Sequence, residues 1–183
     1  MEIQDDAYEL QEIDILNGED VTIQSADFDV SGQPLEDTRN IIVTNNINIE
    51  SGGILTLSDI AFEDGRIEVD KINKPFITVK SGGRLILSSG TTFKNFINNE
   101  GAALVYVEEG GELVMYGTTI EGCVSKEGSC AIDFYGENFV MNGVNRIYDN
   151  VNSANKKANI YIKEGKSIGI SGVMYNNLLM PSE

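Results

Sequence analysis

The side chains best suited to chemistry in this sequence are carboxylates and tyrosines. Asp and Glu number 29 against 13 Lys and Arg, and histidine is absent. Glu108, Glu109 and Glu112 form the densest acidic spot, and Glu63 with Asp64 forms a second. Carboxylates so grouped are calcium ligands in principle, but the spacing follows no calcium-loop pattern. The strand-like segments instead carry Glu50, Lys80, Glu108, Tyr135 and Lys163 at equivalent positions. Alternating charges of this kind read as a ladder of surface pairs, each worth about 0–1 kcal/mol. The expectation is therefore no catalytic residue, no metal and no cofactor.

Two outward features point to binding instead. Tyr148 and Tyr175 lie 27 residues apart and should stack one above the other, while Tyr106 and Tyr161 share a second column with Asp133 between them. Exposed tyrosines stack on sugars or meet protein partners, although aromatics also favour strands for their own sake. The second feature is Ile86, Val114 and Val140, which alternation places outside one sheet. An apolar stripe there is covered either by a local loop or the N-terminal segment, or by a partner or second copy.

A net charge of −16 would repel nucleic acid and anionic membrane alike. No run of 18 or more apolar residues offers a span of the bilayer. The opening MEIQDDAYEL lacks a basic, apolar signal region, and no wall-anchor motif closes the sequence, so it reads as a piece of a longer chain. The two cysteines, Cys123 and Cys130, form no CxxC. They are either small buried residues or a disulfide closing the loop 124–129, a matter of geometry.

What positions these residues is an internal repeat. Ile47 and Ile49, then Gly52 and Gly53, then Leu55 and Leu57 make one unit. Ile77, Val79, Gly82, Gly83, Leu85 and Leu87 make the next, followed by Val105, Val107, Gly110, Gly111, Leu113 and Met115. Two looser copies begin at Ile132 and Ile160, and an earlier one runs through Ile13, Ile15, Val21, Ile23 and Phe28, each 34 residues before its counterpart. Each unit has two apolar residues at period 2, a Gly-rich corner, two more at period 2, and a third apolar mark at Phe62, Phe93, Ile120, Ile147 and Met174. A corner column follows in Asp64, Asn95, Gly122, Asp149 and Asn176, types that tolerate left-handed backbone.

One unit cannot bury its apolar residues alone, but stacked units can. The pattern predicts an all-β chain forming a single right-handed parallel β-helix (β-solenoid) of about six coils. Residues 1–12 read as an N-terminal cap segment and 13–180 as the parallel β-helix domain, with loops at 32–39 and 66–74 projecting from the third side. Pro181 would stop strand pairing.

The unit Ser-Gly-Gly-x-Leu-x-Leu at 51–57 and 81–87 resembles repeats of the pectin-lyase-like right-handed parallel β-helix superfamily. More narrowly it is similar to the adhesin-like repeats of bacterial surface proteins, akin to polymorphic outer-membrane proteins. That resemblance implies a secreted or cell-surface location and a non-enzymatic role as adhesin or stalk. The implied partner is a host or matrix glycan or protein, with self-association through the apolar stripe or the solenoid ends as a further expectation. The same superfamily hosts lyases and sugar-binding modules, which makes a carbohydrate-active domain the alternative.

Overall fold

In the computed structural model, residues 2–3, 7–10, 12–25, 39–43, 45–65, 74–98, 102–126 and 130–171 are described. Every strand ladder among them is parallel. Ile13–Ile15, Ile47–Ile49, Ile77–Val79, Val105–Val107, Ile132–Phe134 and Ile160–Ile162 stack into one six-stranded sheet. Asp20–Ser25, Ile54–Ser58, Arg84–Leu87, Glu112–Tyr116, Asn138–Asn142 and Ile168–Ser171 stack into the second, which Glu2–Ile3 extends to seven strands. The third holds Ala7–Leu10, Arg39–Val43, Ile60–Asp64, Thr92–Lys94, Thr119–Glu121 and Arg146–Tyr148. The chain is thus a β-solenoid. Four coils, those starting at Ile47, Ile77, Val105 and Ile132, carry all three strands in unbroken succession; before them the coil at Ile13 reaches its third strand, Arg39–Val43, only after an insertion, and after them the coil at Ile160 shows two strands among the described residues.

Register explains why the apolar columns are uniform. Leu85 pairs with Leu55 on one side and Leu113 on the other, and Leu87 likewise with Leu57 and Met115. All six side chains are fully buried. Ile47, Ile77, Val105 and Ile132 line the first sheet in the same way, with Ile49, Val79, Val107 and Phe134 beside them. Where one apolar size repeats from coil to coil, the tube packs without voids. Phe62 stacks on Phe93 with ring centroids 5.1 Å apart, and Phe76 stacks on Phe96 at 5.2 Å.

The Gly pairs serve two different needs. Gly82 has φ +78°, a backbone state that side chains with a Cβ rarely adopt. Gly83 has no such need, but a Cβ there would come within 2.8 Å of the Ile49 carbonyl oxygen in the coil below. One glycine makes the turn and the next lets two coils approach.

Three features depart from the expectation. The offset of 34 puts Phe28 in the Phe62 column, whereas register puts Ile41 there, because an insertion precedes the third strand of that coil. Phe28 lies outside the described residues, as do Met174, Asn176, Pro181 and nearly all of the two loops at 32–39 and 66–74. The corner column turns left-handed at Asn95 (φ 57°), Gly122 (φ 67°) and Asp149 (φ 54°), while Asp64 stays within a strand. Finally, a short fourth sheet of Ile97–Asn98, Val124–Ser125 and Val151–Asn152 closes the coils. It turns Asn98 and Ser125 inward, both buried, and leaves Ile97 and Val124 exposed. The strands of the segment 1–12 join the ladders too: Glu2 and Ile3 pair with Gln24 and Ser25, and Ala7–Leu10 pairs with the strand Arg39–Val43.

Candidate ligand-binding face

The outer surface of the first sheet carries two columns. One runs Asp14, Asn48, Thr78, Tyr106, Asp133, Tyr161, each the register partner of the next. The other runs Glu50, Lys80, Glu108, Tyr135, Lys163, two residues further along each coil. Its backbone is held by continued ladder bonds: Glu108 N–H donates to the Val79 carbonyl, Tyr135 N–H to Val107, and Lys163 N–H to Phe134, each at 2.9 Å. Beneath Tyr135, Phe134 and Phe139 pack inside the coil with ring centroids 5.1 Å apart. The platform is therefore backed by core.

The columns interlock through their aromatics. Tyr135 reaches Tyr106 with ring centroids 5.5 Å apart and Tyr161 at 5.6 Å, tilted by 51° and 45°. Neighbouring coils lie about 4.8 Å apart, so Tyr106 and Tyr161 are separated by roughly 10 Å, and Tyr135 fills the gap between them. Tyr161 is 45% exposed, while Tyr106 and Tyr135 are half-buried in one another's flanks. Lys163 places its ammonium 6.0 Å from the Tyr135 ring centre, at the edge of cation–π range.

Carboxylates surround these rings. Burial, then the charges of Glu108 and Asp133, hold the Tyr106 phenol above its ordinary pKa. Burial, then Asp133, does the same at Tyr135. Lys80 pairs with Glu50 at 2.5 Å and also feels the charge of Glu108, and Lys163 pairs with Glu109 at 3.4 Å. Glu112, third member of the acidic spot, pairs with Arg84 at 3.0 Å and accepts from Asn138 Nδ2 at 2.9 Å. These acids are spread among cations, and among the described residues no three acids or cysteines gather into a metal-binding group.

The remaining candidates lie elsewhere. Tyr148 stands on the third sheet in register with Glu121 and Lys94, and its hydroxyl donates to the Glu121 carboxylate, which also pairs with Lys94 at 3.2 Å. It is 41% exposed, and Tyr175 lies outside the described residues. Ile86, Val114 and Val140 do form one register column on the second sheet, ended by Thr56 and Gly169. Alternation places all three on the outer side of the sheet, where Val114 is only 6% exposed and Ile86 and Val140 are half-buried. Cys123 and Cys130 are free thiols, both buried. Contact with the Cys130 thiol, then burial, pushes the Cys123 thiol far above its usual range.

The geometry brings Tyr106 and Tyr161 together and leaves Tyr148 apart. It also adds Tyr135, whose sequence column had read only as charges. The signal that would have found it is diagonal: a residue two positions on in the adjacent coil lies farther off than the direct neighbour but within reach of an aromatic side chain. Compared with known protein families, with characterised proteins and with solved structures, the chain finds no match.

Proposed function

We propose that this chain is a non-enzymatic β-solenoid segment of a secreted or cell-surface bacterial protein, an adhesin or stalk that holds a host or matrix glycan on the face of Tyr106, Tyr135 and Tyr161. The observation that carries the reading is the run of three touching phenol rings on a rigid, core-backed sheet. Rings held in this way offer apolar area with hydroxyl tips at little cost in side-chain entropy, which suits the alternating apolar and hydroxyl faces of a sugar. Thr78, Asp133 and Glu108 beside them supply acceptors for sugar hydroxyls. The resemblance of the Gly-Gly repeats to adhesin-like β-helix units supports the same reading.

Binding of the whole chain to a panel of neutral, acidic and amino glycans, with and without calcium, tests it. At least one glycan class should bind without turnover, and Tyr135→Ala should weaken that binding about ten-fold or more while the solenoid stays folded. Unsaturated product released from a polyuronide would instead establish the lyase reading.

A further inference from the structure

The charges around the tyrosine face narrow the ligand further, resting on the glycan reading above. Asp133 lies in the same column as Tyr106 and Tyr161 and between them, and Glu108 follows Tyr106 by two residues on the same coil, one rung from Tyr135. Both carboxylates are close enough for their field to be felt at the Tyr106 phenol. Of the two lysines of the face, Lys80 pairs with Glu50 and also feels the charge of Glu108, while Lys163 pairs with Glu109 and stands 6.0 Å from the Tyr135 ring centre. Four carboxylates, Glu50, Glu108, Glu109 and Asp133, against these two cations leave the rings in a net negative field, on a chain of net charge −16. An anionic glycan would be repelled there, and a neutral one would gain nothing from it.

We infer that the face takes a cationic amino glycan: a β-linked chain of amino sugars carrying free amines, lying along the solenoid axis across Tyr106, Tyr135 and Tyr161. The rung spacing of about 4.8 Å is comparable with the length of one sugar residue, so successive sugars meet successive coils. Ammonium groups on the chain fall beside Asp133 and Glu108, while the apolar faces of the rings rest on phenols. A basic peptide is the less suited occupant. The strand Val105–Val107 is paired on both sides, to Ile77–Val79 and Ile132–Phe134, so it offers no free edge for an added strand.

The test titrates the whole chain with three oligosaccharides of equal length: de-N-acetylated glucosamine oligomer, its fully N-acetylated form, and oligogalacturonate. Poly-lysine serves as a fourth probe. At about pH 5.5 the sugar amines are protonated and exposed Asp and Glu are ionised. The de-N-acetylated oligomer should bind at least about ten-fold tighter than the acetylated one at low salt, with the gap narrowing as salt rises. The double variant Asp133→Asn with Glu108→Gln should close that gap, weakening the de-N-acetylated oligomer more than the acetylated one. Tyr135→Ala should weaken binding of both sugars and leave poly-lysine unaffected. Equal affinity for the two glucosamine oligomers overturns the charge assignment while the glycan reading stands. Poly-lysine that binds as tightly as the cationic sugar, and loses affinity with Tyr135→Ala, overturns it in favour of a basic protein. If no sugar of any charge binds, the glycan reading itself falls and this inference with it.

Discussion

A phenol that is partly buried and beside carboxylates holds its proton longer than one in water, and Tyr106 and Tyr135 are both so placed. The consequence for stability has a definite sign. A tyrosine whose folded pKa exceeds its unfolded value of about 10 contributes fully below that pH, and the contribution is lost as pH rises through the folded value. The chain should therefore lose stability above about pH 10. Titration of phenolate absorbance should show Tyr106 and Tyr135 ionising late, and Tyr106→Phe should remove one late step and flatten the alkaline loss. All phenols titrating together near their ordinary value would contradict the surroundings described for these two rings. At this scale the sequence was only partly legible. Tyr106 and Tyr161 could be aligned because they occupy one column, but Tyr135 contacts both from the next column, and a single-column reading counts it among charges. Val114 shows a related limit: alternation says which side a residue faces, not whether its neighbours cover it.

Each strand pairs with its counterpart in the next coil, so a core position is one entry in a column rather than an isolated site. Leu85 is fully buried between Leu55 and Leu113. Leu85→Ala should cost about 2–5 kcal/mol, since both neighbours are fixed by their own ladders and cannot collapse into the space. Denaturant unfolding of the two chains measures it, and a loss well under 1 kcal/mol would mean the column is not close-packed. The exposed pair Lys94 and Glu121 provides the contrast, because a half-exposed ion pair contributes only about 0–1 kcal/mol. The three long strands of each coil were legible because their apolar residues face inward at period 2. The fourth sheet was not, because Asn98 and Ser125 occupy its inward positions and Ile97 and Val124 face out. Polar side chains line other inward positions as well: Thr91 and Thr118 donate to the carbonyls of Leu57 and Leu87, and Asn150 accepts from Cys123 N–H while donating to the Ile120 carbonyl. Hydrogen bonds to the neighbouring coil replace apolar packing at these positions, and no hydrophobic pattern reveals them.

For the molecule as a whole, the stack of coils turns a short repeat into continuous parallel ladders, and the outer face of the first sheet is where that surface becomes aromatic. The repeat was legible throughout because a solenoid copies its constraints from coil to coil. The candidate face was legible only in fragments, because a binding surface on a solenoid breaks the repeat rather than following it: Tyr106, Asp133 and Tyr161 stand where the earlier coils carry Asp14, Asn48 and Thr78. The most direct measurement follows the tyrosine ring protons by nuclear magnetic resonance, assigned through single Tyr→Phe substitutions, as de-N-acetylated glucosamine oligomer is added to the whole chain. The signals of Tyr106, Tyr135 and Tyr161 should move together and saturate at one ligand concentration, while those of Tyr116 and Tyr148 stay in place. Movement at Tyr148 with the three clustered rings unchanged, or no movement at any ring, would contradict the assignment of this face as the glycan site.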